Sequence, residues 1–389
     1  MDNNLQVNVR EGASRSTRAW LLATMLAAIA PSSYAQVVLD AGTVQFTTEA
    51  FANFTAGDDA GIGARGGAAD RSRFDGGARI LSRTSLAQGP DVGVRLSVQA
   101  MEDEVRLVEA SVLLFGGNGR LEIGERMGLP DVLTGYAPNN FDFTSAEFGP
   151  ASGPSLDPAG RLQTTFLPVA LAAQVNQLAS LGGTAALFND QSIKILYVSP
   201  KKDGWLAGAS YAQDADADAI GELLQVGVTH ESYWQQNVLR WGATYAYGRA
   251  GEQQLSLRDL SSIGTGISIT LDDALTLGLS ASYDGRSQLP STASGAFASA
   301  AWGAVASLNY NRGPWTLGTY YQYASSEGSP FVSRDDRLVA FEAGASYRFT
   351  TKLRLYGAWY RFDFHDDDRS VSGLSEVGNV LVLGLRVTL

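Results

Sequence analysis

The chain has 389 residues, is 45% hydrophobic and only 18% charged, and carries a formal net charge of -11. That is too apolar and too weakly charged for a disordered chain. An acidic chain also lacks the basic stripe that nucleic acid binding requires, and the absence of cysteine removes disulfides, thiolate metal sites and cysteine nucleophiles.

The first segment reads as an address. Arg10, Arg15 and Arg18 precede the apolar run Ala19–Ala30, and Pro31 breaks it. Ser33-Tyr34-Ala35 offers small residues at both cleavage-determining positions. The pattern predicts a secretory signal peptide over 1–35, cleaved after Ala35. The alternative, an N-terminal anchor helix, needs about 20 apolar residues, more than this run supplies.

Over 36–389 the apolar period is two. Leu275, Leu277, Leu279, Ala281 and Tyr283 alternate with Thr276, Gly278, Ser280, Ser282 and Asp284. Trp241, Ala243, Tyr245 and Tyr247 alternate with smaller or polar neighbours, as do Val339, Phe341, Ala343, Ala345, Tyr347 and Phe349. Leu381, Leu383, Leu385, Val387 and Leu389 continue the pattern to the C-terminus. Such alternation gives strands with one apolar and one polar face.

A soluble sandwich buries the apolar face between two sheets; a membrane barrel turns it to lipid around a polar lumen. Strand length favours the barrel, because soluble strands average about five or six residues. The polar faces hold hydroxyls, small residues and arginines that could not pack a core. Aromatics gather near strand ends, at Trp205, Tyr211, Trp315, Tyr323, Trp359 and Tyr360, where a membrane interface would place them.

Turn residues divide the chain into predicted strands at 40–56, 74–88, 91–102, 105–116, 119–127, 191–199, 204–214, 219–233, 236–250, 255–272, 274–286, 295–311, 314–326, 335–350, 352–365 and 376–389. These sixteen satisfy the even count expected of a bacterial barrel, in a size class that leaves a water channel. Short turns, such as Gly116-Gly117-Asn118, Asp272-Asp273 and Arg312-Gly313, alternate with mostly longer links such as 57–73, 287–294 and 366–375. Short turns belong on the periplasmic side and long loops outside.

One link, 128–190, breaks the alternation for about sixty residues, a length that points to a functional segment. It includes the uncharged stretch Phe166–Phe188. A transmembrane helix there is opposed by Pro168, Gln174, Asn176, Gln177 and Gly182-Gly183. The expectation is a segment folded into the barrel as a short helix.

From Gln36 to Leu389 the chain resembles the trimeric general diffusion porins of Gram-negative outer membranes. Gly119–Arg126 looks like the strand that feeds that family's inward third loop, and Pro130–Tyr136 is similar to the start of the loop. Ala146-Glu147-Phe148-Gly149-Pro150 resembles the family's Pro-Glu-Phe-Gly-Gly, and Lys194–Pro200 with Gly208–Ala212 looks like its sixth and seventh strands. The resemblance implies an all-β, sixteen-stranded antiparallel transmembrane barrel in the outer membrane, with 128–190 as constriction loop. It also implies a homotrimer, in contact with lipid and lipopolysaccharide, that passes ions and small hydrophilic solutes passively. It calls for no cofactor and no enzymatic activity.

By the same match Glu147 is the acidic constriction residue; the family's second acid falls at Phe143, with Asp142 one position further back, and Asp131 is a further acid of the loop. Ala78-Arg79-Ile80 resembles a motif that supplies one rung of the family's basic ladder, and Arg106-Leu107 one that supplies another. Arg83 shares a face with Arg79, Arg95 alternates with Val94 and Leu96, and Arg126 ends the strand beside the loop. For Arg106 the phase is ambiguous, because Glu109 and Ser111 read as lumenal and simple alternation then turns Arg106 outward. The chain ends in Leu389 where the family has phenylalanine, and its second outer loop is very short, near Glu102-Asp103-Glu104.

Other constellations carry less. Asp58-Asp59, Asp214/Asp216/Asp218 and Asp366-Asp367-Asp368 lack the glycine-punctuated loop of a calcium site and read as a solvated acidic rim. His230-Glu231-Ser232 has a hydrolase-like look, but neighbours in a strand point to opposite faces. The remaining alternatives are a substrate-specific channel, which would need an aromatic track or a basic cluster, and a non-conducting structural barrel. Tyr320 and Tyr356 are candidate lumenal aromatics. The link carries Asp131, Asp142, Glu147, Asp157 and Asp190 against Arg161, facing the arginines of the wall, so the constriction is near balance and the acidic outer loops tip it to weak cation selectivity that fades as salt rises.

Overall fold

The computed structural model of the chain describes residues 38–39, 42–58, 72–85, 89–101, 104–125, 128–129, 133, 192–216, 220–250, 259–285, 301–327, 335–365 and 376–388. The predicted signal peptide and the stretch Phe166–Phe188 lie outside them, as do the triplet Asp366-Asp367-Asp368 and the site residues Arg126, Asp131, Asp142 and Glu147.

The strands are β1 (Val38–Leu39), β2 (Gly42–Asp58), β3 (Ser72–Thr84), β4 (Asp91–Met101), β5 (Glu104–Gly116), β6 (Gly119–Glu125), β7 (Ile193–Val198), β8 (Trp205–Asp216) and β9 (Ile220–Trp234). They continue as β10 (Asn237–Ala250), β11 (Leu260–Leu271), β12 (Leu275–Gly285), β13 (Ala301–Arg312), β14 (Trp315–Glu327), β15 (Asp335–Arg348), β16 (Leu353–His365) and β17 (Glu376–Thr388). β1 is a two-residue ribbon on β2, with Val38 opposite Thr43. Each strand from β2 onward pairs antiparallel with the next, and β17 pairs with β2, with Gly384 opposite Thr55. Those sixteen strands therefore form a closed ring without a free edge.

Predicted boundaries hold to within a few residues at most strand ends. Among the described positions, strand 74–88 already stops at Thr84, and strand 255–272 starts only at Leu260. The short turns follow from backbone chemistry. Asp203 and Gly204 both have positive φ, 50° and 83°, and Lys202 and Trp205 exchange backbone bonds across them. That is a type I′ turn, whose twist matches antiparallel strands. Asp272 and Asp273, at φ 48° and 54°, build the same turn between β11 and β12, closed by Ala274 N–H on the Leu271 carbonyl at 2.9 Å.

The two faces separate as the alternation requires. Val94, Leu96, Ile123, Ile195, Val226, Ile267, Leu279, Leu317, Leu355 and Leu383 are exposed, whereas Ser97, Ser111, Gln225, Ser262, Asn309 and Glu342 are buried. Apolar outside and polar inside is the reverse of a soluble protein and the arrangement of a barrel in lipid. Exposed aromatics ring the outer face near both ends. Trp205, Trp241, Trp315 and Phe349 lie toward the short turns, and Tyr283 and Trp302 toward the opposite end. Trp205 and Trp241 stack edge to face at 5.2 Å, and His230 packs between them, 4.6 Å and 5.9 Å away.

Two features break regularity and both position the lumen. β6 and β7 have 7 and 6 residues, while the other ring strands have 11 to 17. Between β4 and β5, Ser97 pairs with Glu109 and Val98 with Leu107, which leaves Val108 of β5 without an opposite number: a β-bulge.

Candidate functional site

The lumenal wall falls into sectors of different chemistry. On β3 to β7 the inner face carries Arg79, Arg95, Glu109, Glu122 and Lys194, all at least largely buried. On β8 to β11 it is mainly apolar or small, with Ala212, Leu223, Ala246 and Leu260 packed together. On β12 to β15 it is built mainly of hydroxyls and amides, Ser280, Ser282, Ser307, Asn309, Gln322 and Ser346, with Asp284 and Glu342 among them.

In the charged sector Arg79 Nε donates to Ser97 Oγ at 3.3 Å, and its guanidinium lies 3.8 Å from Glu109. The Ser97 hydroxyl donates to Glu109 at 2.8 Å. Arg95 donates to Glu122 at 2.9 Å, and the other oxygen of Glu122 lies 2.7 Å from Arg120 Nε. The wall basic residues are thus held against wall carboxylates. Pairing is what makes such burial tolerable, because an isolated charge removed from water is costly.

The predicted basic residues separate on this wall. Arg79 and Arg95 come together on adjacent strands. Arg83 sits one position from the end of β3, half exposed, bonded to Asp91 at 2.6 and 2.9 Å and 4.7 Å above the Phe115 ring. It belongs to the short-turn rim. The bulge shifts the register on the approach to position 106. It adds one residue between Glu109 and Leu107, so Leu107 points outward with Val98, and position 106 pairs with Gln99. Simple alternation does not carry past the bulge, because it counts Val108 as a paired residue.

The start of the long link is seated on a second apolar patch, where β7 adjoins β8. Leu129 and Leu133 are buried against Leu196 and Val198 of β7, beside Leu206. Leu129 lies over Gly208 of β8, where an added Cβ would fall 2.6 Å from its Cδ1; Leu133 covers Gly227 of β9 at 2.9 Å in the same sense. Gln225 grips the segment. Its Oε1 accepts Leu129 N–H at 2.9 Å and the Ser210 hydroxyl at 2.8 Å, while Gly128 leaves room for the amide. Leu129 and Leu133 therefore lie on the inner face of the wall.

Sequence reasoning missed Arg120, Glu122, Lys194 and Gln225. The signal was present for three of them. Arg120 and Glu122 alternate with Leu121 and Ile123, and Lys194 with Ile193 and Ile195, so all three face the lumen by phase. Tyr320 and Tyr356 do face inward but lie along the wall, Tyr320 donating to Gln322 at 2.9 Å and Tyr356 covering Gly384. His230 and Glu231 occupy opposite faces, the latter held by Lys201 at 2.7 Å and Arg240 at 2.5 Å.

No curated protein matches the chain in sequence. Solved structures match the fold. OmpF of Salmonella typhi, in complex with daunomycin, has a TM-score of 0.63 at 11% identity and covers 91% of this chain and 100% of its own. A loop-deletion mutant of OmpT from Vibrio cholerae gives 0.58 at 13% identity over 90% of this chain and 100% of its own. An anion-selective porin from Comamonas acidovorans gives 0.57 at 14% identity over 89% and 100%. A family model described as Gram-negative porin matches residues 22–367, and the chain belongs to that family.

Proposed function

We propose that this outer-membrane porin is a general diffusion channel, a water-filled path for ions and small hydrophilic solutes with weak cation selectivity. The observation that carries the reading is the closed ring whose apolar face points outward and whose charged and hydroxylated face points inward. The apolar seat of Leu129 and Leu133 supports an inward link as the narrowing element. On that link Glu147, Asp142 and Asp131 form the acidic side, opposite Arg79, Arg95, Arg106 and Arg126, with Arg83 guarding the periplasmic rim. Opposed charges across a narrow pore orient water and dipolar solutes and bias which ions enter. A homotrimer is the proposed assembly, by resemblance.

Single-channel recording in a planar bilayer tests this reading. Stepwise, ohmic conductance with a reversal potential slightly on the cation side is the expected result. Conductance blocked by micromolar sugar or phosphate would replace it with a substrate-specific channel, and a silent barrel would leave a structural role.

A further inference from the structure

The charged sector of the lumenal wall carries its own anions, and they are not on the link. Glu109 and Glu122 are each 1% exposed, the first 3.8 Å from Arg79, the second between Arg95 at 2.9 Å and Arg120 at 2.7 Å. Lys194 is the fourth buried or half-buried cation of this strip. We propose that Glu109 and Glu122 are specificity-determining residues, which set the sign of ion selectivity by interleaving negative charge with the arginines of the wall. The inference rests on the porin reading above.

The physics is that of range. A guanidinium bonded to a carboxylate acts on a passing ion as a dipole, and its field falls off faster than that of a lone charge. Removing one carboxylate leaves a lone positive charge beside the pore. At a distance of about 6 Å, even with water as the dielectric, one unit charge changes the local concentration of a monovalent ion about threefold. Cations and anions respond in opposite senses, so their ratio moves further, while salt beyond the screening length of about 8 Å trims the effect. The wall acids thus oppose the drift toward anions that four interior cations would impose. The Glu122 carboxylate also holds the Arg95 and Arg120 heads at the wall, and Glu109 holds that of Arg79.

The test is the reversal potential in a salt gradient, with folding checked by heat-modifiable gel mobility. Glu109→Gln and Glu122→Gln should each lower the cation-to-anion permeability ratio about threefold or more. Arg95→Gln should raise it, and the double variant Arg95→Gln/Glu122→Gln should return to within about twofold of wild type, because it removes one charge of each sign. If Glu122→Gln alone fails to fold, Glu109→Gln and the charge-neutral double variant carry the test. Folded, conducting Glu→Gln variants with the wild-type reversal potential would overturn the inference and leave the porin reading standing. A wild-type barrel that inserts and never conducts would remove both.

Discussion

Single residues fix where the interior segment sits and how the outer end of one hairpin responds to acid. Gln225→Leu removes the acceptor of Leu129 N–H and of the Ser210 hydroxyl. Leaving two buried donors unmatched should cost about 1–3 kcal/mol each, read as a lower midpoint of heat-induced unfolding in detergent, together with noisier open-channel current. Gly208→Val drives a side chain into Leu129 and the Tyr197 carbonyl and should have the larger effect. Asp259 accepts Ala250 N–H at 3.0 Å and the Tyr247 hydroxyl at 2.8 Å. The backbone bond first, then the phenol, holds its carboxyl below the usual carboxylate range. A lowered folded-state pKa stabilises above the ordinary carboxylate pKa, near 4, and that contribution is lost as pH falls through the folded value. Amide protection at the outer end of β10 and β11 should therefore fall as pH drops below about 4, and Asp259→Asn should abolish that dependence.

At the scale of the element, most of the barrel was legible because alternation is a local property. Leu275 to Tyr283 declare their faces without reference to any partner. The bulge in β5 was not legible, because an unpaired residue is defined only by the register of β4 against β5, which a single strand does not encode. The start of the interior segment was hidden for the same reason: Gly208 and Gly227 read as ordinary strand glycines until Leu129 and Leu133 lie on them. The bulge also makes a sharp prediction. Deleting Val108 removes the extra residue and keeps every other side chain of β5 on its present face, so a folded barrel should still form. Deleting Val112, from the regular part, inverts the faces of one half of the strand and should prevent the compact, heat-modifiable band. Turn chemistry adds a third test. Asp273 stands at φ 54°, where a non-glycine residue is strained by about 1 kcal/mol, so Asp273→Gly should raise the unfolding midpoint.

For the whole molecule, the proposed selectivity is a balance between a link rich in acids and a wall whose Arg79, Arg95 and Arg120 are paired with carboxylates. Glu147→Gln removes a charge from the proposed acidic side and should shift the reversal potential toward anions, with the shift shrinking as salt rises. A wild type that is strongly anion-selective, or a Glu147→Gln channel identical to it, would place the narrowing elsewhere. In the unheated state the chain should migrate near three times its monomer mass, and a strictly monomeric mass in mild detergent would exclude the trimer while leaving the barrel intact.

The seam of the ring is a matter of timing. Fifteen neighbouring pairs of the ring are joined in chain order, but β17 meets β2 only when residues near Gly384 find residues near Thr55. That contact has the greatest sequence separation of the strand pairings among the described residues, and such contacts form late because the entropy of closure precedes their reward. Every earlier intermediate is an open ribbon with two unsatisfied edges, which lipid cannot tolerate. Closure and insertion must therefore be nearly one event, and the last strand acts as a clasp: a chain truncated before Glu376 should stay unfolded as a whole rather than form a smaller barrel.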